Sequence, residues 1–332
     1  MHACMTKRRG QQVPRTRPPS GSSRRGSAHR LASGSLVGAT ALVLLVACSG
    51  GPQTAPDPTA AAPRWAGHLV EAQGLTSFDV ASVRQTPVNV SGRRFMTKCV
   101  GDADQTVLLV SGWTAPMQDW EAVQSEVASV ARVCAYDRLG IGRSGPLPPR
   151  QTFRTFAADI DGLVQALGLR RPIVIVGHSL GGPIAMTWAS EHLSDTAGVV
   201  LVDAPDATFF QWQADAMTDE QKASLYDPMA SAAEDAEHVD RPAAYPELAD
   251  LMSLGSLPLE VLTHDPASPN GIETDLSDGV PEATTAKEWL DAQHRWEAFS
   301  SSSELVKVEG AGHSIQLDDP DAVVAAILAA LD

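Results

Sequence analysis

A short buried strand followed at once by a glycine-bounded serine is the feature that most constrains this chain. Ile173–Val176 is an uninterrupted apolar run, and the pentapeptide 177–181, Gly-His-Ser-Leu-Gly, follows it directly. A turn that lifts the Ser179 hydroxyl above a sheet strains the backbone and crowds nearby positions, so only very small flanking residues fit. Gly182–Ala189 then supplies a helical pattern of mostly small residues. The segment predicts a strand, a sharp turn and a helix, with Ser179 as a candidate nucleophile.

Strand and helix patterns alternate along most of the chain. The predicted strands are Thr86–Val90, Arg93–Cys99, Thr106–Val110, Ala131–Tyr136, Ile173–Val176, Gly198–Val202, Leu257–Thr263 and Glu304–Val308. The predicted helices are Trp120–Val130, Phe153–Leu167, Gly182–Ala189, Ala286–Phe299 and Asp321–Leu331. This order predicts an α/β fold with a mostly parallel, eight-stranded sheet covered by helices on both faces. We expect Asp159 and Asp161 on the solvent side of their helix, and a helical lid at about 204–256, where short helical pieces replace the alternation.

The first 47 residues predict a targeting segment. They contain eight basic residues and no acidic ones, and they become apolar from Leu31 to Ala47. The sequence Leu-Val-Ala before Cys48 resembles the lipobox of bacterial lipoproteins, which implies a lipidated Cys48 at the mature N-terminus. An ordinary cleaved signal peptide or an uncleaved anchor is the alternative. We therefore expect export and anchoring to the outer face of a bacterial cytoplasmic membrane, or else secretion.

Charge excludes nucleic acid as an expected partner. The net charge is −15, and removal of the eight basic residues in 1–47 lowers it to −23. Such an acidic surface repels phosphate backbones and anionic headgroups, so membrane contact is expected only through the lipid on Cys48. Residues 48–65 are rich in Pro and Ala and predict a tether, which leaves 66–332 as one α/β domain.

A serine nucleophile needs a general base, and His313 is the best candidate. It lies in the small-residue loop 310–314, after the last predicted strand and before the closing helix. His178 is expected to point away from the nucleophile, because consecutive residues of the turn diverge, and to pack and hydrogen-bond under the turn. The other histidines are expected to be solvated or structural, namely His68, His192, His238, His264 and His294.

Two backbone amides are predicted to stabilise the oxyanion. One is the N–H of Leu180, directly after the nucleophile, and the other is the N–H of Trp113, in the loop after Thr106–Val110. The Trp113 side chain could be a core aromatic and could also form a wall of the acyl pocket, and the two roles are compatible.

These residues together resemble the α/β-hydrolase superfamily over about Thr86–Leu331. Ser111–Trp113 is similar to its His-Gly-x oxyanion loop, with Ser in place of His, and Asp137–Ser144 is similar to its Asp-Arg-x-Gly-x-Gly-x-Ser loop. Ser179 and His313 match its nucleophile and base. The resemblance implies that Asp137 and Arg138 hold loops rather than react.

The same resemblance allows the triad acid to follow either of two strands. Asp203 ends the strand Gly198–Val202, whereas Asp265 follows Leu257–Thr263 but comes two residues before the commoner acid position. Asp203 is preferred and Asp265 is the alternative. In such a fold Cys99 and Cys134 lie on neighbouring antiparallel strands, so the resemblance also implies a disulfide between them, with two free thiols as the alternative.

The activity expected from this resemblance is hydrolysis of small carboxylic esters through an acyl-enzyme, with no cofactor and no metal. Aromatic and sulfur-containing side chains of the lid could line the acyl site or simply pack on the core, namely Phe209, Phe210, Trp212, Met217 and Met229. An aminopeptidase or amidase would need an amine-binding carboxylate cluster, for which the lid offers Asp215, Asp219, Glu220, Glu234, Asp235 and Glu237. A ligand-binding protein without catalysis is the last alternative. The sequence gives no prediction of oligomeric state.

Overall fold

The computed structural model describes residues 64–221, 237–268 and 281–332, which all belong to the unit Thr59–Asp332. The leader 1–47, Cys48, most of the tether and the middle of the predicted lid, including Met229, Glu234 and Asp235, lie outside the described residues. Within the described ranges, no helix combines the length and the apolar character that a membrane span requires.

The described residues form one eight-stranded sheet. Its strands are β1 Thr86–Val90, β2 Arg93–Val100, β3 Thr106–Val110, β4 Arg132–Asp137, β5 Ile173–His178, β6 Thr196–Val202, β7 Leu259–His264 and β8 Ser303–Val308. Their order across the sheet is β1-β2-β4-β3-β5-β6-β7-β8. β2 is antiparallel to both of its neighbours, and the strands from β4 to β8 in this order are parallel. The predicted mostly parallel sheet is confirmed.

Helices cover both faces of this sheet. They are α1 Arg64–Ala72, α2 Glu121–Val127, α3 Phe153–Ala166, α4 Gly181–Glu191, α5 Ala207–Ala216, α6 Arg241–Glu247, α7 Glu282–Glu297, α8 Ile315–Asp318 and α9 Pro320–Leu331. Buried side chains of α3, α4 and α7 form one core cluster, and those of α2 and α9 form another. In β5, Ile173 and Ile175 join the first cluster, whereas Val174 and Val176 join the second. Successive side chains of a strand point to opposite faces, so an uninterrupted apolar run is what a strand covered on both faces requires.

The described parts of the predicted lid lie between β6 and β7 in the chain and pack on α3. The Phe210 ring of α5 stacks on the Tyr245 ring of α6, with centroids 4.2 Å apart, and it also lies 6.2 Å from the Phe153 ring. Aromatic stacking therefore holds α5 and α6 to the start of α3.

One predicted surface position is wrong. Asp159 is buried, with a side chain only 5% exposed, and it accepts a hydrogen bond from the guanidinium of Arg93 on β2. Burial raises the pKa of Asp159, although the Arg93 charge acts in the opposite direction. The helical pattern of α3 placed Asp159 beside Asp161 on the polar side, and it could not show that Arg93 reaches that side. Asp161 remains partly exposed, at 32%.

A disulfide joins Cys99 and Cys134. The two residues are directly opposite each other on the antiparallel strands β2 and β4, and their Cα atoms lie 4.1 Å apart. The covalent link closes a loop that spans 35 residues of sequence, and it ties the edge hairpin to the parallel part of the sheet.

Candidate active site

Ser179 lies on the sharp turn between β5 and α4. Its φ is +49°, a left-handed conformation that a non-glycine residue adopts only when the surrounding structure requires it. A Cβ on Gly177 would lie 2.3 Å from the Gly181 carbonyl oxygen, and one on Gly181 would lie 2.3 Å from that of Val110. No side chain fits at either position, which agrees with the crowding expected from the pentapeptide.

Asp203 and His313 meet at the same edge of the sheet. Asp203 follows β6, also with a φ of +49°, and its side chain is fully buried. Its Oδ2 accepts a hydrogen bond of 2.7 Å from Nδ1 of His313, which lies in the loop after β8 and whose side chain is 30% exposed. Because an ionised carboxylate can only accept, the neutral His313 imidazole carries its proton on Nδ1 and its lone pair on Nε2. The imidazole is therefore in the tautomer that a general base needs.

Asp203 also binds a second imidazole, which the sequence analysis missed. Nδ1 of His264 lies 3.0 Å from Oδ1 and 2.9 Å from Oδ2, and the His264 amide donates to Oδ1 at 3.0 Å. The Trp289 indole donates to Oδ1 at 2.9 Å. Burial alone would raise the pKa of Asp203, but the hydrogen bonds from His264 and His313 outweigh burial and hold that pKa far below its usual range. Asp203 is thus a fixed anion.

His264 could have been found only through strand register. The sequence places it at a strand end, where a solvated or structural histidine is the expectation. In the structure Leu262 is the partner of Val202 in the β6–β7 ladder, so His264 extends past that edge beside Asp203. The register between β6 and β7 shows that His264 lies beside Asp203, and this register cannot be derived from the order of the strands in the chain.

Asp265, the alternative acid, does not contact His313 in the described structure. Its carboxylate accepts the amides of Ala267 at 3.0 Å and Gly310 at 3.1 Å, and these hydrogen bonds lower its pKa. Gly310 lies in the loop that leads to His313. Asp265 therefore supports this loop, while Asp203 contacts the imidazole itself.

His178 is a buried supporting residue, as expected from its position in the turn. Its Nε2 donates to the His313 carbonyl at 3.0 Å, and its Nδ1 accepts from the Gln316 amide at 3.2 Å. Burial and the neighbouring His313 lower the pKa of His178 to about 3. A neutral His178 thus holds the backbone of His313, and the two rings lie 4.9 Å apart.

Ser179 and His313 are on adjoining parts of this edge but are not hydrogen-bonded. Among the described residues, Ser179 makes backbone bonds to Val202 and Gly182, and the His313 ring bonds to Asp203. Catalytic hydrogen bonds are often long or poorly aligned without substrate and tighten when it binds.

The predicted oxyanion loop lies against the nucleophile turn. A Cβ on Gly112 would be 3.2 Å from the Ser179 Cβ and 2.8 Å from Nδ1 of His178, so only glycine permits this approach. Leu180 directly precedes α4, at the end of a helix whose first amides have no partner within the helix. The two predicted donors, the Leu180 and Trp113 amides, therefore belong to segments that flank Ser179.

Ser111 and Asp137 have structural roles beside this loop. The Ser111 hydroxyl accepts a hydrogen bond from the Trp120 indole at 3.1 Å. Asp137 accepts the Met117 amide at 2.8 Å, and a Cβ on Gly142 would lie 2.3 Å from its Oδ2. These contacts agree with the expectation that Asp137 holds loops.

Four of the candidate substrate-binding side chains, the aromatic ones, differ in exposure. Trp113 is 49% exposed, and Trp212 is half-buried. Phe209 and Phe210 are buried: Phe209 packs edge-on against Trp289 at 4.8 Å, and Phe210 packs within the lid. The rings of both phenylalanines contact other aromatic side chains and pack within the lid, and their role in substrate binding stays a prediction.

Comparisons with known proteins agree with this architecture. A family model described as alpha/beta hydrolase fold matches residues 105–258. The uncharacterized protein YqjL of Bacillus subtilis is 23% identical over 231 residues, which are 68% of this chain and 83% of that protein. A haloalkane dehalogenase of Sphingobium indicum is 27% identical over 121 residues, 35% of this chain and 40% of the dehalogenase.

The solved structures give the same fold. A thermophilic esterase from Thermogutta terrifontis superposes with a TM-score of 0.50 and 21% identity, over 74% of this chain and 97% of the esterase. The family model covers the strands from β3 to β6, including the nucleophile turn. The chain therefore has the α/β-hydrolase fold, and the model described by that fold matches residues 105–258 of it.

Proposed function

We propose that this protein is a serine hydrolase that cleaves carboxylic esters through an acyl-enzyme on Ser179. The observation that carries the proposal is the 2.7 Å hydrogen bond from His313 Nδ1 to the buried Asp203 carboxylate. It orients an imidazole with a free Nε2 lone pair at the sheet edge that also bears Ser179 on a strained turn.

The proposed reaction has two steps. His313 Nε2 takes the Ser179 proton as Oγ attacks the ester carbonyl, and the amides of Leu180 and Trp113 donate to the oxyanion. When this intermediate collapses, His313 gives the proton to the departing alcohol, and the acyl group stays on Ser179. Water then attacks the acyl-enzyme with His313 again as base, so the acid leaves and Ser179 is regenerated. The Asp203 carboxylate remains ionised and stabilises the imidazolium in both steps.

Serine at the turn favours acyl transfer over the chemistry named for the dehalogenase relative. Attack of a serine on an alkyl carbon would give an ether, which has no carbonyl for water to attack. An acyl group on serine is an ester and can be hydrolysed. We therefore place the substrate among carboxylic acid derivatives.

We favour esters over substrates with a free amine as the substrate class. An aminopeptidase needs unengaged carboxylates near the site, and Glu237, one of the candidates, is fully buried against Arg138. A protein that only binds ligands would have no need for an imidazole held in the basic tautomer by a buried anion. The amidase and the binding protein remain the two outcomes that the experiment must separate.

The test compares hydrolysis of p-nitrophenyl esters with that of aminoacyl p-nitroanilides. We expect ester turnover that is lost in Ser179→Ala and His313→Asn, and retained in His294→Asn, whose side chain is 58% exposed on α7. A fluorophosphonate probe should label the wild type at Ser179 and leave Ser179→Ala unlabelled. Faster anilide turnover would assign the amidase, and absence of labelling and turnover would assign the binding protein.

A further inference from the structure

A buried ion pair lies behind the predicted oxyanion loop. The side chains of Arg138 and Glu237 are 3% and 0% exposed. Two hydrogen bonds of 2.7 Å join them side by side, from Nε to Oε2 and from Nη2 to Oε1. This two-point geometry fixes both groups in one orientation, which a single contact would not do.

The pair holds the loop on both sides of Trp113. Arg138 donates from Nη1 to the Ser111 carbonyl and from Nη2 to the Gly112 carbonyl. Oε1 of Glu237 accepts the Thr114 amide at 2.6 Å. Thr114 has a φ of +56°, a conformation that persists only where neighbouring contacts impose it. The backbone before and after Trp113 is thus fixed by the same two charges.

This arrangement determines the direction of the Trp113 amide. The Gly112–Trp113 peptide is trans, so its N–H points opposite to its C=O. Because the Gly112 carbonyl is turned toward Arg138, the Trp113 N–H is turned away from it. Gly112 itself lies against the nucleophile turn, since a Cβ on it would be 3.2 Å from the Ser179 Cβ.

We propose that Arg138 and Glu237 are positioning residues that set the oxyanion hole by orienting the Trp113 N–H. The inference rests on the proposed ester hydrolysis. Arg138 comes from the loop after β4, whereas Glu237 comes from the insertion between β6 and β7. That insertion is fastened beside the loop by Gln151, which donates to the carbonyls of Glu237 at 2.6 Å and His238 at 2.9 Å. The lid thereby contributes to transition-state stabilisation without touching the substrate.

Glu237→Gln is the first test. Both carboxylate oxygens accept hydrogen bonds, so either orientation of the glutamine amide turns its NH₂ against an N–H of Arg138, or of Arg138 and Thr114 together. Loss of an oxyanion donor costs about 10²- to 10³-fold in kcat, and a displaced donor should cost about 10- to 100-fold. We expect KM for p-nitrophenyl butyrate within about twofold of the wild type, because the loss concerns only the transition state. The affinity for phenylboronic acid, which mimics the tetrahedral intermediate, should fall by the same factor as kcat/KM.

Asp240→Asn is the matched control. Asp240 lies three residues further along the same segment, its side chain is 3% exposed, and it pairs with Arg150 without contact to the oxyanion loop. This variant also removes a buried charge from the segment, so its thermal unfolding temperature should shift in the same direction as that of Glu237→Gln. Its kcat should stay within about twofold of the wild type. Arg138→Lys keeps the positive charge but lacks the planar guanidinium with its fixed N–H donors. It should lower kcat with an unchanged KM, like Glu237→Gln.

Two results would overturn the inference: equal kcat losses in Glu237→Gln and Asp240→Asn, or a loss in Glu237→Gln that resides in KM. If Glu237→Gln does not fold, the same two criteria apply to Arg138→Lys. A wild type no faster than Ser179→Ala would instead reject ester hydrolysis, and the inference with it. The two failures are distinguishable because only the second removes wild-type turnover.

Discussion

Replacing Asp203 by asparagine tests the proposed acid through the tautomer of His313. Oδ1 of Asp203 accepts from the Trp289 indole and from the His264 amide at 2.9 and 3.0 Å, whereas Oδ2 accepts from the His313 ring. Nδ1 of His264 lies within reach of both oxygens and can donate to Oδ1 alone. An asparagine keeps its oxygen on the side of these fixed donors, so its NH₂ replaces Oδ2. Nδ1 of His313 must then accept a hydrogen bond, and the ring proton moves to Nε2. An imidazole protonated on Nε2 has no lone pair for the Ser179 proton.

The expected loss is large and confined to turnover. A wrong tautomer of this kind lowers kcat by about 10⁴-fold in a Ser-His-Asp triad, equivalent to about 5.5 kcal/mol in the activation free energy. We expect the same order of magnitude for p-nitrophenyl butyrate hydrolysis by Asp203→Asn. KM should stay within about threefold of the wild type, because Asp203 is fully buried and cannot touch the substrate.

Asp265→Asn is the matched control for this measurement. In the described structure, Asp265 accepts the Ala267 and Gly310 amides and lies 4.0 Å from Nζ of Lys307, without contact to the His313 ring. An asparagine oxygen can retain one of the amide bonds, so a loss of at most about threefold is expected. Thermal unfolding of both variants shows whether each is folded at the assay temperature. Retention of more than about a tenth of kcat in Asp203→Asn, or equal losses in the two variants, would refute the reasoning.

Three further predictions concern stability and location. Because the pKa of His178 falls from 6.5 to about 3 on folding, only the unfolded chain takes up this proton between those pH values. The free energy of unfolding should therefore drop by about 1.5 kcal/mol from pH 6.5 to pH 5. In urea denaturation of His178→Gln, the free energy of unfolding should fall less steeply between pH 6.5 and pH 5 than in the wild type. An unchanged dependence on pH would contradict the lowered pKa of His178. The loop of 35 residues closed by Cys99–Cys134 predicts a loss of about 4 kcal/mol in the Cys99→Ala/Cys134→Ala variant, and equal urea midpoints with and without the bond would contradict it. In a bacterial host, Cys48→Ser should move the protein from the membrane fraction to the soluble fraction and abolish lipid labelling. A wild type that is itself soluble and unlabelled would contradict lipidation of Cys48.

Local steric rules made the nucleophile turn predictable from sequence. Gly177 and Gly181 are required because backbone oxygens lie 2.3 Å from the places of their missing Cβ atoms. A buried strand before the turn and small residues after it are also local features. The pentapeptide and its flanks therefore contained most of the information needed to place Ser179.

Contacts between distant segments were not predictable in this way. Asp203 and Asp265 both follow parallel strands at one sheet edge, and the choice between them depends on which carboxylate faces the imidazole of a loop about 50 to 110 residues later. His264 joins Asp203 through the register of β6 and β7. Asp159 was misplaced for the same reason, since its partner Arg93 comes from the edge hairpin. Periodicity assigns a residue to a face of a helix but does not say what lies above that face.

Both carboxylates that compete as the acid in the sequence act on His313, but on different parts of it. Asp203 binds the ring at Nδ1, and Asp265 binds the Gly310 amide three residues before it. His178 adds a third constraint by donating to the His313 carbonyl. The His313 ring, the loop before it and its main-chain carbonyl are therefore held by residues at the ends of β6, β7 and β5, respectively. Since the three contacts are independent, removal of one should displace His313 only in part, and it is the contact at Nδ1 that alone determines which nitrogen carries the proton.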